Sequence, residues 1–153
     1  MNLRSRNGFT FIELMLVIII MGILAALISG NFLTSLKKGR DSKRKIDLGH
    51  IASSLELYYS DKQAYPTPPL PYTDQLCETN PCGATRVYME KVPADQNGAY
   101  LNDYESDGTY FKLYSCIEND LDAGPGVDQG GYPGTNCGAC GECKYKITSP
   151  NTQ

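Results

Sequence analysis

The chain has 153 residues, of which 41% are hydrophobic and 20% charged; this composition suits one compact domain with an appendage and excludes a disordered chain. Its net charge of −3 is unevenly distributed, because residues 1–65 carry nine basic and five acidic side chains, whereas residues 66–153 carry five and twelve. A domain built from the acidic second half is a poor candidate for nucleic-acid binding.

A short polar leader precedes a predicted long helix. Residues 1–8 contain two arginines and end in Gly8. Residues 9–65 contain no proline, and we expect the helix to end at Ala64-Tyr65-Pro66, because the residue before a proline avoids helical backbone.

The first part of this helix, residues 9–36, is predicted to cross a membrane. Its apolar run from Phe9 to Ile28 would span about 30 Å, the thickness of the hydrocarbon layer. The run is longer than the core of an ordinary secretory signal peptide. Two basic residues precede the span and six follow it soon after, so charge counting alone would leave the C-terminal domain in the cytoplasm.

The second part, residues 37–65, is predicted to be amphipathic. It begins in a basic segment, residues 36–45, which we expect to be a solvated helix face beside lipid headgroups. Further along, apolar side chains recur at three- and four-residue steps, which predicts one stripe packed against the C-terminal domain. The members of this stripe are Leu48, Ile51, Ala52, Leu55, Tyr58 and Tyr59.

An isolated carboxylate, Glu13, lies near the start of the apolar run. At the centre of a bilayer it would cost on the order of 3 kcal/mol, and less near an edge, where it could simply reach the headgroups. No basic side chain occurs between Asn7 and Leu36 to neutralise it. Cleavage after Gly8 would provide a partner, because the new amino group of Phe9 would lie four residues before Glu13, a close spacing on a helix.

The motif Gly8-Phe9-Thr10-Phe11-Ile12-Glu13, followed by the apolar helix, resembles the N-terminus of type IV pilins and type II secretion pseudopilins. The match is close from Gly8 to Ile28 and looser as far as Pro66. The resemblance implies that a prepilin peptidase cuts between Gly8 and Phe9 and that Phe9 is N-methylated. It also implies that Glu13 attracts the Phe9 amine of an adjacent subunit during filament assembly. The chain departs from many family members at Gly30, where they carry a proline.

The same resemblance implies a structural subunit of a type IV pilus-like or type II secretion filament. The sequence has one histidine, no nucleophile motif and no phosphate-binding glycine loop, so we do not expect an enzyme. The subunit's partners would be copies of itself, other pilin-like subunits, the prepilin peptidase, the inner-membrane assembly machinery and membrane lipid, with no nucleic acid and no cofactor. The cleavage motif is more specific than the charge count beside the span, so we expect the chain to cross the inner membrane once with its globular head outside the cytoplasm. It would then join a cell-surface pilus or a periplasmic pseudopilus.

Six cysteines lie in the predicted head, residues 66–153. An even number in a small exported domain predicts disulfides, for which 15 pairings exist. The close spacing of Cys137, Cys140 and Cys143 also suits thiolate ligands of a metal. An alternative function is therefore a membrane-tethered metal- or redox-binding module. The disulfide candidates are Cys77, Cys82, Cys116, Cys137, Cys140 and Cys143.

An acidic, glycine-rich segment, residues 118–131, follows a predicted strand. Oxygen ligands on a flexible loop suit calcium, and the side chains to test are those of Asp120, Asp122 and Asp128. The segment lacks the spacing of an EF-hand, so the alternative is a solvated loop.

The rest of the head is predicted to be a small antiparallel sheet on the helix stripe, which gives an α+β fold. The candidate strands are Gly98–Tyr104, Thr109–Ile117 and Lys144–Thr148.

Overall fold

The computed structural model describes residues 8–79, 82–83 and 85–151, and for residues 28–31 it describes the backbone only. Of the expected leader, only Gly8 therefore lies within the described residues. The chain divides into two compact units, Met1–Leu36 and Lys37–Gln153.

One helix, α1, runs from Phe11 to Lys62. In the first unit, the described large apolar side chains from Phe9 to Leu36 are 43–88% exposed. Within the described residues, no single helix is long and apolar enough to cross a membrane. Two consecutive stretches of α1, Phe11–Leu27 and Phe32–Lys62, have the required length and composition only when they are taken as a pair.

In the second unit, α1 contributes one side of the core. Leu48, Ile51 and Leu55 are fully buried and belong to one cluster with Phe111 and Leu113 of the sheet. Burial of each such side chain contributes about 1.5–3 kcal/mol. The predicted apolar stripe and its packing against the head are therefore confirmed.

The helix ends earlier than the sequence suggested. Lys62 is its last residue, and Gln63 adopts a left-handed conformation with φ 57°. The amide of Gln63 donates to the carbonyl of Tyr59 at 2.7 Å, which closes the final turn. A left-handed cap, and not the proline three residues later, therefore terminates α1.

Two antiparallel sheets complete the head. The larger has the order β3-β4-β5, with β3 at Asp103–Ser106, β4 at Phe111–Ser115 and β5 at Tyr145–Thr148. In its register, Leu113 of β4 lies between Tyr104 and Ile147 of its two neighbours. The smaller sheet pairs β1, Leu76–Cys77, with β2, Val87–Met89. The predicted α+β class, a long helix with a small antiparallel sheet, is confirmed.

The three strands were predicted correctly in type, but each predicted range is longer than the strand observed. The strand expected over residues 98–104 begins only at Asp103, because Asn97 starts a tight turn in which its carbonyl accepts the amide of Tyr100 at 2.8 Å. The pair β1–β2 was not predicted, since two- and three-residue strands carry too little alternation to detect.

Candidate functional site

The N-terminal motif forms the start of α1. The amide of Thr10 donates to the Glu13 carboxylate at 2.9 Å, and the Thr10 hydroxyl donates to the same oxygen at 2.7 Å. In return, the Glu13 amide donates to the Thr10 hydroxyl at 3.3 Å. This reciprocal arrangement is a capping box, in which a threonine and the glutamate three residues later satisfy each other's backbone donors.

The capping box explains in part how a carboxylate is accommodated at the start of an apolar run. Its carboxylate accepts hydrogen bonds from Thr10, but no basic side chain is paired with it in the described residues. This capping role was not predicted from the sequence, although the spacing Thr-x-x-Glu before an apolar run is its ordinary signature. Within the described part of the chain, Glu13 is therefore hydrogen-bonded while its charge remains without a counter-ion.

The residues on either side of the expected cut are open. Phe9 is 88% exposed, and a Cβ added to Gly8 would meet no atom within 4 Å. Both residues precede the first helical residue, Phe11. The bond between Gly8 and Phe9 thus lies outside regular secondary structure.

A second constellation lies in the second unit, where Arg44 of α1 is surrounded by three carboxylates. Its guanidinium donates to Asp41 at 2.8 Å, to Asp95 at 2.5 and 3.2 Å, and to Glu118 at 2.7 Å. Arg40 also donates to Glu118, at 3.0 Å through its Nε and through a second nitrogen. We call these five residues the arginine cluster.

The arginine cluster connects α1 to two loops of the head. Asp41 accepts the amides of Glu118 and Asn119 at 2.8–3.2 Å, so it caps the chain just after β4. Arg44 is 2% exposed, Asp41 is 2% exposed and the Asp95 side chain is fully buried. Buried charges of this kind are tolerated only because each has hydrogen-bonded partners of opposite sign.

Two members of the arginine cluster, Glu118 and Arg44, are strongly biased toward their charged forms. The hydrogen bond from Arg40, followed by that from Arg44, lowers the pKa of Glu118 from 4.5 to about 2. For Arg44, burial opposes the charge, but hydrogen bonds to Asp95 and Glu118 outweigh it and raise the pKa. Both residues therefore stay charged at neutral pH.

The basic segment 36–45 is consequently only partly the solvated face that we expected. Arg40, Arg44 and Lys45 pair with acids of the head, the last of them with Asp122 at 2.7 Å. The expectation fails for these residues because the acidic loops of the second half fold back on them. The side chains of Lys37, Lys38 and Lys43 remain exposed.

The three carboxylates considered as calcium ligands do not form one site. Asp122 binds Lys45, whose hydrogen bond lowers the pKa of Asp122; Asp120 lies 3.2 Å from Lys144, and Asp128 accepts the amide of Gly130 at 2.9 Å. Within the described ranges, no three His, Cys, Asp or Glu side chains are grouped so that they could hold a metal. The arrangement is that of a loop held by lysines and backbone amides.

All six cysteines are paired. The disulfides are Cys77–Cys82, Cys116–Cys140 and Cys137–Cys143, so the prediction of disulfides is confirmed. The first closes a local loop, and the second joins the end of β4 to the C-terminal segment. The metal- or redox-binding alternative is not supported, because each of its three sulfurs is bonded to another sulfur.

Comparison with known proteins gives a consistent result. Residues 3–29 match the model of the prokaryotic N-terminal methylation motif. The chain is 33% identical to the type II secretion system core protein G of Pseudomonas aeruginosa, over 81% of this chain and 97% of that protein. It is also 33% identical to the protein of the same name from Vibrio cholerae, over 67% of this chain and 71% of the relative.

A third relative, the type II secretion system core protein G of Escherichia coli, is 32% identical over 65% of this chain and 70% of its own length. No solved structure matches the chain. The similarity extends past the methylation motif into the head, since the alignment with the Pseudomonas aeruginosa protein covers nearly all of that relative.

Proposed function

The chain belongs to the type II secretion pseudopilin family, together with the core protein G of that system, and from this premise we propose how it becomes a filament subunit. It is a structural component, and its function lies in assembly with other subunits. We propose that it is made as an inner-membrane precursor with its head outside the cytoplasm and that it then joins a periplasmic pseudopilus.

Maturation begins at the bond between Gly8 and Phe9. A prepilin peptidase of the inner membrane cuts this bond, and the new amino group of Phe9 is then methylated. The exposure of Phe9 and the open space around Gly8 support this step, because a protease needs an extended, accessible segment. The matched methylation motif supports it independently.

Assembly then uses the carboxylate of Glu13. In lipid an unpaired carboxylate and an unpaired ammonium are both costly, so the Phe9 amine of one subunit and Glu13 of its neighbour lower their free energy by meeting. The hydrogen bonds from Thr10 hold the Glu13 carboxylate at the helix start until the amine arrives. The capping box thus positions a negative charge without neutralising it.

The exposed apolar surface of the first unit supplies the lateral contacts. Its large side chains, from Phe9 to Leu36, first face membrane lipid in the single-pass precursor and then the helices of other pseudopilin subunits. The inner-membrane assembly machinery would move each subunit from one environment to the other. The observation that carries this proposal is the combination of the methylation motif with a carboxylate capped at the helix start.

Mass analysis of the N-terminus tests the maturation step. Chain purified from a type II secretion host should begin at Phe9 and carry one methyl group on its amine. A Gly8→Leu variant, whose side chain has room in the precursor, should keep its leader and remain in the membrane fraction. A native chain that retains residues 1–8, or that begins at another residue, contradicts the proposal.

A further inference from the structure

Two disulfides of the head are interlocked along the sequence. Cys137 is bonded to Cys143, and Cys140, which lies between them, is bonded to Cys116. The four cysteines could pair in three ways, and the observed pairing is the one in which neither bond joins cysteines that are consecutive in the chain. By contrast, Cys77 and Cys82 are consecutive.

Loop closure in an unfolded chain does not favour the observed pairing. The native bond Cys137–Cys143 has a sequence separation of 6, whereas either bond from Cys140 to its nearest neighbours has a separation of only three. Doubling a separation lowers the closure probability about threefold. Both competing isomers, Cys116–Cys137 with Cys140–Cys143 and Cys116–Cys143 with Cys137–Cys140, contain one of these short bonds.

The order in which the cysteines are exported also disfavours the native pairing. This step depends on the proposed function, in which the N-terminal helix stays in the membrane and the head crosses it from its N-terminal end. Cys116 and Cys137 then reach the oxidising side before Cys140 and Cys143. An oxidant that acts on the cysteines as they emerge forms Cys116–Cys137 first, and this bond is not native.

The native isomer is selected by packing. The amide of Cys137 donates to the carbonyl of Gly141 at 2.8 Å, within the C-terminal loop. The amide of Ala139 donates to the carbonyl of Ala99 at 2.8 Å, so the conformation of this loop also depends on a distant segment. Gly138, with φ 66°, has the backbone of Ala99 where a Cβ would lie. The loop conformation that brings Cys137 to Cys143 therefore requires the head to be folded.

The folded head also shields these sulfurs. Cys116, Cys137 and Cys143 are fully buried, and they form a cluster with Tyr114. A wrong disulfide must therefore be exchanged before the cluster closes. Spontaneous exchange is slow on this scale, because it takes from minutes to hours.

We propose that the head reaches its native pairing through a thiol–disulfide isomerase of the extracytoplasmic compartment. The thiolate of the isomerase attacks one sulfur of a wrong disulfide such as Cys116–Cys137, forms a mixed disulfide with that cysteine and releases the other as a thiolate. The released thiolate attacks the second wrong bond and forms a native one. The thiolate displaced from it then attacks the mixed disulfide and expels the isomerase. Bonds broken and formed are equal in number, and no oxidant or reductant is consumed.

The test compares the full chain made in a bacterial host with and without its periplasmic disulfide isomerase. Cells are trapped with an alkylating agent, and peptides of the unreduced protein are mapped by mass spectrometry. With the isomerase, we expect Cys116–Cys140 and Cys137–Cys143 in nearly all molecules. Without it, we expect the two competing isomers in at least half of them, while Cys77–Cys82 is unchanged.

A double variant, Cys137→Ser with Cys143→Ser, is the matched control. It leaves Cys116 and Cys140 as consecutive cysteines, so its disulfides should form equally well in both hosts. Fully native pairing of the unmodified chain in the host without isomerase would overturn the inference alone. Six free thiols in both hosts would instead show that the head is not exported, and would overturn the proposed function together with the inference.

Discussion

The guanidinium of Arg44 donates to the carboxylate of Asp41 at 2.8 Å, one turn earlier on α1, and each side chain is 2% exposed. The same carboxylate accepts the amides of Glu118 and Asn119. One helical acid thus joins its own helix to the chain after β4, and the arginine beside it supplies the charge that makes its burial tolerable.

Removal of this arginine should destabilise the head severely. We expect Arg44→Ala to lower the free energy of unfolding by about 3–5 kcal/mol, because it leaves Asp41 and Asp95 as buried carboxylates without their cation. The measurement is a urea titration of the full chain in detergent micelles, followed by near-ultraviolet circular dichroism. Lys43→Ala, which changes an exposed neighbour, should shift the free energy by less than about 0.5 kcal/mol. Equal losses in the two variants would contradict the role of the cluster.

The stability of the head should depend on pH in the acid range. The pKa of Glu118 is about 2 in the folded state and has its ordinary value of 4.5 when unfolded. Because the pKa is lower in the folded state, the ionised Glu118 carboxylate stabilises the folded head. This stabilisation is complete above pH 4.5 and is lost as the pH falls toward 2. Its size is on the order of 3 kcal/mol, since the side chain is only 11% exposed.

The check on this pH dependence is a series of urea titrations from pH 7 to pH 2. Glu118→Gln should be less stable than the native chain at neutral pH and should show a flatter profile through the acid range. A profile of the variant parallel to that of the native chain would assign the acid sensitivity to other carboxylates.

Two substitutions should separate the two roles of Glu13. Glu13→Gln keeps an oxygen that can cap the helix but removes the charge, so we expect no filaments. Thr10→Ala removes the capping hydroxyl, which costs about 1 kcal/mol of helix stability, but keeps the charge, so filaments should still form. Crosslinking of subunits in cells, read by immunoblot, and electron microscopy of filaments extracted from the periplasm provide the measurement. Normal filaments from Glu13→Gln would exclude the charge-pairing step.

Two leucines on α1 provide a matched test of the core. Leu55 is fully buried and Leu57 is 47% exposed. Leu55→Ala should cost about 2–5 kcal/mol, through lost burial and a cavity against the sheet. Leu57→Ala should cost less than about 0.5 kcal/mol in the same urea titration. Similar costs at the two positions would show that the helix face is assigned wrongly.

The disulfides should differ in how much each contributes to the free energy of unfolding. Cys116–Cys140 closes a loop with a sequence separation of 24 and Cys77–Cys82 one of 5, which corresponds to about 3.5 and 2 kcal/mol in the chain-entropy model. Paired serine variants, compared by thermal unfolding, measure the difference. A larger loss from removal of Cys77–Cys82 would contradict the loop-length argument.

Regular features of the sequence predicted much of this fold. The recurrence of Leu48, Ile51 and Leu55 placed the buried face of α1, because a helical period repeated over several turns is typical of a helix with one face in a core. The alternation of Tyr110, Lys112 and Tyr114 identified β4 in a similar way, through the two-residue period of a strand. The motif from Gly8 to Glu13 predicted the family because it combines several independent residue choices.

Other features depend on partners that are far away in the chain. The burial of Arg44 could not be inferred from its basic neighbours, since Asp95 and Glu118 lie 51 and 74 residues away. The pairing of the interlocked disulfides could not be predicted from the sequence either, because it depends on the close approach of Gly138 to the backbone of Ala99. The capping box at Thr10 is different, because the spacing Thr-x-x-Glu is visible in the sequence alone.

The position of Asp41 has a mechanical consequence for the head. Asp41 holds the amide of Glu118, which is two residues from Cys116, and Cys116 is covalently tied to Cys140. The connection from α1 to the C-terminal segment thus runs through one hydrogen-bonded carboxylate and one disulfide, and not through the hydrogen bonds between strands. We expect a force on α1 to reach the C-terminal segment by this route without first separating β3, β4 and β5.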